Sequence, residues 1–389
     1  MTATPELVLD TAYFRRWLAA ADELFQREGA RLTALDAAIG DGDHGANMVR
    51  GFGAARTAEE QTPSATPGAL LGQAGTTLTN SVGGASGPLF GMALRRTGKR
   101  LGSEEAVTVA QFATALRAGA EAVAKLGGAA PGDATLLDAL LPALDTLDLE
   151  LAAGNAPFEA LSAARVAALT AAEATEPMQA KKGRASYLGE RSIGHQDAGA
   201  HSVALLFEAL TTAADAGWEP AQVAPEATAV DAVETPAAET PVAAEAPVAT
   251  APEAGGRVGV VLVSHSRAVA KATAELAKAM VGSGDTAPVL AAGGTDDGRI
   301  GTSAELIHAA ALKVDEGKGV AVLCDMGSAV LTVQALLGDG DPRTMPADTR
   351  IVDAPFVEGA VGVVVTASVG GDLEMVVAAG EDARNYRKG

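Results

Sequence analysis

The sequence is poor in cysteine and in positive charge, and each shortage excludes a class of protein. Its 389 residues include a single cysteine, so no disulfide can form within the chain, as expected in a reducing compartment. The formal net charge is -20 at pH 7, and such a field repels nucleic acids and anionic membranes. We therefore expect no nucleic-acid partner, no membrane partner and a cytoplasmic location.

Long apolar runs and the best-known nucleotide loop are missing as well. No uninterrupted apolar run is long enough to span a bilayer, and the first residues have neither the basic region nor the apolar stretch of a signal peptide. A Gly-x-x-x-x-Gly-Lys-Ser/Thr loop is absent, so the sequence does not indicate ATP binding by that route. The length is sufficient for two or three domains.

What the sequence does contain is a dense acidic segment over residues 35–48. Asp36, Asp41, Asp43 and His44 lie close together there, separated by glycine and alanine. Carboxylates at short range repel one another unless a cation lies among them, and hard oxygen ligands favour Mg²⁺ or Ca²⁺. The segment therefore predicts a metal site that also holds phosphate through the metal. The alternative is an acidic turn that caps a helix starting near His44.

Two other motifs have sequence patterns that partly match this segment, and both are excluded. Residues 40–45 fit the Gly-x-Gly-x-x-Gly pattern of a dinucleotide turn, but their acidic side chains would repel a bare phosphate and no buried strand precedes them. The segment could also open an EF-hand loop, but the closing glutamate of that loop would fall at Phe52.

Residues 10–217 are dominated by alanine and leucine, which favours helices. Asp10 is the expected N-cap of a helix over 13–27, and we expect Gly29 to end that helix. Further helices are predicted over 48–60, 68–79, 89–98, 108–126, 134–149, 157–174 and 200–216. The series predicts an all-helical domain with its ligand loops at one end.

Three connections between these helices are candidates for ligand binding. Residues 81–88 and 127–135 are rich in small residues, so a planar base or a phosphate could lie against the backbone, and a flexible turn is the alternative. Residues 182–200 contain the most conspicuous basic stretch, and clustered cations in an acidic protein indicate a bound anion. A solvated loop paired with nearby glutamates is the alternative for this stretch.

The character of the sequence changes twice after the helical region. Residues 218–256 repeat Ala, Pro, Glu, Thr and Val with few large apolar residues, which is typical of a disordered linker. Beyond it, short apolar strands at 258–263, 289–292, 319–323 and 350–352 alternate with helices at 269–280, 303–316, 328–337 and 358–368. This alternation predicts a doubly wound α/β domain with a parallel sheet.

His265 directly follows the first of these strands, at the carboxyl edge of the sheet where such folds bind ligands. An imidazole there can act as a nucleophile towards a phosphoryl group, and helix N–H groups can neutralise the resulting anion. Asp325 follows the third strand and the glycine-rich loop at 293–298 follows the second, so both can wall the same pocket. A metal ligand or an ordinary surface histidine is the alternative for His265.

The motifs of both halves resemble one system, the phosphotransferase-type dihydroxyacetone kinase. Residues 1–217 resemble its ADP-binding L subunit, with matching motifs at 35–36, 40–48, 83–91 and 183–192. Residues 257–389 resemble its M subunit, a relative of the mannose-type IIA phosphocarriers, with matches at 263–266, 293–296, 300–303, 325–330 and 353–360. The expected architecture is an all-α helical barrel over 1–217, a linker over 218–256 and a mannose-IIA-like α/β domain over 257–389.

The resemblance implies a set of site residues, a tightly bound ADP or ATP, and Mg²⁺. Asp36, Asp41 and Asp43 match the family's magnesium ligands. His265 matches the histidine that carries the phosphoryl group. The family's nucleotide contacts match His44, Gly45, Ala46, Asn47, Ala85, Ser86, Gly127, Leu136, Arg184, Asp197, Ala198 and Gly199.

The resemblance also implies a function. His265 accepts a phosphoryl group from the phosphocarrier protein HPr and passes it to bound ADP, and the ATP formed phosphorylates dihydroxyacetone on a separate K subunit. No HPr, enzyme I or K-subunit domain is recognisable here, so we expect activity only with partner subunits, and a homodimer through the C-terminal domain. The alternatives are a non-catalytic sensor of phosphorylation state that regulates a transcription factor, and an ATP-dependent ketose kinase subunit.

Overall fold

The helical region predicted for the first half of the chain is confirmed. The computed structural model describes residues 7–215, 256–281, 285–296, 298–338, 341 and 343–385. Up to residue 215 the described chain consists almost entirely of helices. The predicted linker over 218–256 lies outside the described residues except for Gly256.

Eight α-helices lie within residues 7–215 and form a closed ring. They are α1 (Thr11–Ile39), α2 (His44–Gln61), α3 (Pro67–Ser81), α4 (Ser86–Leu101), α5 (Val109–Gly127), α6 (Leu137–Ala152), α7 (Pro157–Glu173) and α8 (Ala198–Ala214). Each helix packs against the next, and α8 packs back against α1. Mostly short connections make successive helices antiparallel, so every second helix begins at the same end of the barrel.

The interior of the barrel is a single apolar cluster that runs through all eight helices. Two polar groups on α1 form hydrogen bonds with α8. The Tyr13 hydroxyl donates to the carbonyl of Leu210 at 2.7 Å, and Trp17 Nε1 donates to the carbonyl of Leu206 at 3.3 Å. A short strand pair, β1 (Leu9–Asp10) with β2 (Ala106–Val107), ties the start of α1 to the connection between α4 and α5.

The predicted end of the first helix at Gly29 is wrong, because α1 continues to Ile39. Gly29 instead lies where α1 and α2 cross: a Cβ atom on Gly45 would lie 2.1 Å from the carbonyl oxygen of Gly29. Glycine at these positions therefore allows two helix backbones to touch. The extra turns of α1 carry Asp36 to the acidic segment.

The second half is an α/β domain, and its described residues form four parallel strands in the order β4-β3-β5-β6. Its elements are β3 (Gly259–Ser264), α9 (Arg267–Met280), β4 (Val289–Gly293), α10 (Ala304–Val314), β5 (Val320–Cys324), α11 (Gly327–Leu337), β6 (Thr349–Val352), α12 (Phe356–Ser368) and α13 (Leu373–Glu381). Separate apolar clusters cover the two faces of the sheet, with α10 and α11 on one face and α9, α12 and α13 on the other. The sequence analysis missed α13.

The register of the central strands brings their carboxyl ends level. Ser264 at the end of β3 pairs with Gly293 of β4, and Val263 pairs with Cys324 of β5. The residues that follow β3 and β5 therefore meet at one edge of the sheet. Among the helices of the described residues, none combines the length and the apolar character that crossing a bilayer requires.

Candidate functional site

The three aspartates predicted to hold a metal come together where α1 ends and α2 begins. Asp36 lies in the last turns of α1, and Asp43 is the N-cap of α2. One carboxylate oxygen from each of Asp36, Asp41 and Asp43 lies within 4.8 Å of the others. The backbone N–H groups of Asp43 and His44 donate to Asp36 Oδ2 at 2.9 and 3.2 Å, so the turn folds around this carboxylate.

The electrostatics of this acidic cluster suit a cation. Burial raises the pKa of Asp43, and the nearby charge of Asp36 raises it further. A hydrogen bond with Asn47 and the charges of Arg50 and His265 act in the opposite direction. A divalent cation among the three carboxylates would remove the repulsion, and carboxylate oxygens are the ligands that Mg²⁺ accepts. The residues present therefore fit a magnesium ion.

The basic stretch lies against this cluster rather than in solvent. Arg184 begins a 3-10 segment, Arg184–Ser192, and its guanidinium pairs with the carboxylate of Asp41. Lys181 joins the same stretch to the connection between α5 and α6, because its backbone N–H donates to the carbonyl of Asp133 at 3.0 Å. Within residues 182–200, Arg184 thus has an aspartate of the acidic cluster as its acidic partner.

His44 connects three helix starts. Its ring nitrogens lie 3.0 Å from the hydroxyl of Ser86, in the first turn of α4, and 2.8 Å from the hydroxyl of Ser202 in α8. Burial lowers the pKa of His44 to about 4, so the ring is neutral at pH 7. In this structure His44 therefore holds the predicted nucleotide contact Ser86 in place rather than presenting a positive charge.

The other predicted nucleotide contacts lie at the same end of the barrel. Leu136 precedes α6 and lies beside Gly199 in the first turn of α8, since a Cβ atom on Gly199 would lie 3.5 Å from Leu136 Cβ. Asp197 caps α8 by accepting from the N–H of Ala200 at 2.6 Å, and burial raises the pKa of Asp197 to about 7. The remaining contacts also lie at helix ends or next to them: Gly45, Ala46 and Asn47 in α2, Ala85 before α4, Gly127 at the end of α5 and Ala198 in α8.

Four helices, α2, α4, α6 and α8, thus begin at this end of the barrel. Their first N–H groups have no partner within the helix, and the helix dipoles place partial positive charge there. An anion between these helix starts would be stabilised by all four. The three clustered carboxylates lie beside the same helix starts, so this end has the groups that could hold a metal together with a phosphate chain.

The second cluster lies at the carboxyl edge of the sheet, around His265. His265 Nδ1 lies 2.9 Å from Asp325 Oδ1, and the backbone N–H of His265 donates to Asp325 Oδ2, also at 2.9 Å. Ser264 Oγ donates to the same carboxylate at 2.8 Å. On the other side of the ring, His265 Nε2 lies 2.7 Å from Ser328 Oγ at the start of α11.

Asp325 keeps its negative charge in this setting. Burial alone would raise its pKa, but hydrogen bonds from the His265 ring, the His265 backbone and Ser264 lower the pKa overall. The ionised carboxylate can only accept hydrogen bonds, so Nδ1 of His265 carries the proton. Nε2 is then the ring nitrogen with a free electron pair, and it accepts the hydroxyl hydrogen of Ser328.

Sequence reasoning missed three serines at the two clusters. Ser202 and Ser328 bond histidine rings, and Ser264 orients Asp325. The sequence contained a signal for Ser328, since this residue lies at the start of the helix that follows a strand ending at the carboxyl edge of the sheet. Ser202 had none, because its partner His44 lies on a distant helix.

Two family models match the chain, one in each half. The DAK2 domain matches residues 38–212, and the PTS system fructose IIA component matches residues 259–377. The PEP-dependent dihydroxyacetone kinase, ADP-binding subunit DhaL, of Escherichia coli is 43% identical over 201 residues, which are 51% of this chain and 94% of that protein. The chain belongs to the DAK2 domain family. The predicted resemblance is thereby confirmed in both halves.

Other relatives differ in how much of their length the chain spans. The DhaL subunit of PEP-dependent dihydroxyacetone kinase 1 of Listeria innocua is 38% identical over 52% of this chain and 97% of its own length. The D-erythrulose kinase of Mycolicibacterium smegmatis is 43% identical over 45% of this chain but only 30% of its own length. The crystal structure of the dihydroxyacetone kinase of C. freundii aligns with a TM-score of 0.41 and 28% identity, over 54% of this chain and 36% of that one.

Proposed function

We propose that the chain is a component of a phosphoenolpyruvate-dependent dihydroxyacetone kinase, active only with partner subunits. His265 accepts a phosphoryl group from HPr and delivers it to ADP held by the DAK2 domain, and the resulting ATP serves a separate K subunit that holds dihydroxyacetone. The observation that carries this proposal is the presence, in one chain, of an oriented histidine at a sheet edge and a carboxylate cluster at four helix starts. The names of the relatives in both halves support it.

His265 is built to act as a nucleophile through Nε2. Asp325 fixes the ring tautomer and orientation from Nδ1, which leaves the electron pair of Nε2 available for phosphorus. The Ser328 hydroxyl that bonds Nε2 can turn to donate to a phosphoryl oxygen instead. The start of α11 offers backbone N–H groups to the same anion.

The delivery step needs no oxidant and no additional proton. The N–P bond of phosphohistidine breaks with its electron pair returning to Nε2, while a terminal phosphate oxygen of ADP forms the new O–P bond. Asp36, Asp41 and Asp43 would hold Mg²⁺, which supplies positive charge against the repulsion between the two anions when bound. Arg184, paired with Asp41 in this structure, lies in position to contact the same anions.

The DAK2 domain holds the nucleotide phosphates with the helix starts. The first turns of α2 and α8, with Gly45, Ala46, Ala198 and Gly199, offer backbone N–H groups. We propose Asn47, in the same turn of α2, as a further contact of the phosphates. Ser86 offers a hydroxyl that His44 positions. Ala85, Gly127, Leu136 and Asp197 border the same end of the barrel, and we propose them as contacts of the nucleoside part. The contacts together favour retention of ADP between turnovers.

The proposal assigns dihydroxyacetone as the ketose, because the relatives that the chain spans almost completely carry that name. Kinases of erythrulose are also similar to the DAK2 half. The ketose itself binds to the K subunit, so this chain sets the phosphoryl donor rather than the sugar. We also propose that the C-terminal domain forms a homodimer and that the protein acts in the cytoplasm.

The test follows one labelled phosphate through the complete system. Labelled phosphoenolpyruvate is supplied with enzyme I, HPr and the K subunit, and label is measured on His265, in bound nucleotide and in dihydroxyacetone phosphate. We expect label at all three places. His265→Gln should lose all three. His308→Gln changes a histidine on α10 whose Nε2 lies 3.2 Å from the carbonyl oxygen of Thr344, and this variant should behave like the native chain.

Three results would reject the proposal. Label on nucleotide with the His265→Gln chain would show that the histidine is not the carrier. Label on His265 without transfer to ADP would favour the non-catalytic sensor. Activity with ATP alone, unaffected by His265→Gln, would favour an ATP-dependent kinase subunit. Replacing dihydroxyacetone with erythrulose in the same assay determines the ketose.

A further inference from the structure

The two halves of the chain are in contact, and the candidate site residues described above do not explain this contact. On the helical side it is formed by α3, α4 and α5, and on the α/β side by α10, α11 and the residues after α11. Met92 of α4 is buried in this contact, with its Cε atom 3.8 Å from a Cβ position on Gly338. The same interface also contains a group of polar and charged side chains.

We call this group the docking cluster: Asn80 and Arg95 from the helical half, with Glu305, Asp341 and Arg343 from the α/β half. Arg95 Nη1 lies 3.0 Å from Asp341 Oδ2, and 2% and 0% of these two side chains are exposed. Arg343 holds the same carboxylate with two hydrogen bonds of 2.7 and 2.8 Å. Asn80 donates to Glu305 Oε1 at 2.9 Å and accepts from Arg343 Nη1 at 3.2 Å.

The buried charges of the docking cluster favour one specific arrangement of the two halves more than they strengthen the contact between them. Burial lowers the pKa of Arg95 despite the nearby Asp341 carboxylate, so the ion pair carries a substantial desolvation cost. Among the described residues, Nε and Nη2 of Arg95 have no hydrogen-bond partner. Such a pair adds little net stability, but it strongly disfavours any arrangement that leaves one charge buried alone. The interface can therefore open readily and still close in only one register.

Two packed helices connect this cluster to the reacting groups. On the helical side, α4 carries Ser86 in its first turn and Arg95 nine residues further along. On the α/β side, α11 carries Ser328 in its first turn and ends at Leu337, shortly before Asp341. Nine residues separate Ser86 from Arg95 and Ser328 from Leu337, which corresponds to roughly 13 Å of helix in each case. Fixing the two helices against each other at the docking contact therefore also fixes Ser86 and Ser328.

The histidine faces the metal site in this arrangement. His265 lies close enough to Asp43 for the two side chains to interact electrostatically. Ser328 is hydrogen-bonded to His265, and Ser86 is hydrogen-bonded to His44, the residue that follows Asp43. Only 4% of His265 is exposed, so a second protein cannot approach the ring. The contact between the halves is thus suited to phosphoryl transfer from His265 to the nucleotide, and not to phosphorylation of His265 by a separate protein.

We propose that the docking cluster is a positioning device that places phosphorylated His265 against the acceptor site of its own chain, so that phosphoryl transfer runs within one chain. The inference rests on the proposed relay. The charged side chains do not touch the phosphoryl group. They select the one docked register in which Nε2 faces the nucleotide phosphates, and the chain opens again for the next loading by its donor.

A single-turnover experiment on the full chain tests the positioning role. Nucleotide-free chain is loaded with label on His265, the donor is removed, Mg-ADP is added, and the appearance of label in ATP is followed by rapid quench. Arg95→Met should slow this step about tenfold or more without changing the extent of His265 labelling or the affinity for ADP. Arg100→Met, an exposed arginine on the same helix, is the matched control and should transfer at the native rate.

Chain mixing separates transfer within a chain from transfer between chains. A labelled Asp41→Ala chain, which can donate only, is mixed with a His265→Gln chain, which can accept only. We expect this pair to transfer at least tenfold more slowly than the native chain at micromolar concentration. A native rate for the mixed pair, or for Arg95→Met, would overturn the inference.

A cross-link reports docking independently of chemistry. Asn80→Cys with Glu305→Cys, whose native side chains touch across the interface, should react with a short bis-maleimide to give a monomeric cross-linked chain. The native thiol stays silent, because burial raises the pKa of Cys324 to about 12. Arg95→Met should reduce the cross-linking rate. If the double-cysteine chain cross-links but the native chain transfers no label to ADP, the relay fails and the docking stands. If the double-cysteine chain does not cross-link, the docking fails.

Discussion

The candidate sites of the two halves of this protein are assembled in different ways. In the α/β half, the reacting residues come from two short stretches, 264–266 and 325–328, that follow adjacent parallel strands. In the helical half, the site draws on residues from 36 to 199, spread over five helices and the connections between them. A parallel sheet brings strand ends together through its topology alone, whereas a helical barrel must close a ring before its helix starts meet.

This difference predicts that the two sites fail independently. The α/β site depends on a few local hydrogen bonds around His265, so a single partner can be removed without disturbing the barrel. The helical site depends on the crossing of α1 and α2 and on a buried histidine that joins three helix starts. Damage there should spread to nucleotide binding as a whole but should not reach the histidine of the other domain.

The largest effect is expected for Asp41→Ala. It removes one of three clustered carboxylates and the partner of Arg184, so the affinity for Mg-nucleotide should fall by more than about a hundredfold. Nucleotide retained per chain after gel filtration in Mg²⁺ measures the loss. Asp145→Ala, which changes a 70% exposed aspartate on α6, should retain nucleotide normally. Loss of His265 phosphorylation in a folded Asp41→Ala chain would contradict the independence of the two sites.

A pH-dependent effect on stability is expected from His44. Burial lowers its pKa to about 4 in the folded protein, whereas an unfolded histidine titrates near pH ~6.5. Between these values the unfolded chain binds a proton that the folded chain does not, so folding stability falls as the pH falls. The loss should be roughly 3 kcal/mol over this window.

His44→Gln should remove this pH dependence while the rest of the profile stays. Urea unfolding at pH values from 7 to 4, followed by the fluorescence of the buried Trp17 in a Trp218→Phe background, measures it. The difference between the native and variant chains isolates His44, because Asp197 and the other titrating groups contribute to both. Parallel profiles for the two chains would show that the histidine is not held neutral.

The smallest of the three effects is expected for Asp325→Asn. The amide can still bond His265 but no longer fixes the tautomer with a negative charge, so the rate of His265 phosphorylation should fall about tenfold. Retained nucleotide should not change, which makes this variant the reciprocal of Asp41→Ala. An effect of Asp325→Asn on nucleotide retention would show that the two sites are coupled. It would contradict the contrast drawn between the two halves.

Much of the architecture could be predicted because the relevant signals are local. Alanine-rich periodic segments gave the helices of the barrel, and apolar strands alternating with helices gave the parallel sheet. The placement of His265 and Asp325 at one edge followed from the rule for parallel strands, and the family motifs added the roles. The prediction at Gly29 failed because a glycine that ends a helix and one that allows a helix crossing look the same in sequence.

The sequence by itself determined the two families of motif in one chain, and it predicted the residues proposed to carry the chemistry: an acidic segment that favours a cation and a histidine at a strand end. Only the tertiary structure decided how they meet. Closing the ring of helices brought His44 to Ser202, and docking of the halves brought Arg95 to Asp341. These pairs are far apart in sequence and their energies depend on shared burial, which no local pattern of residues records.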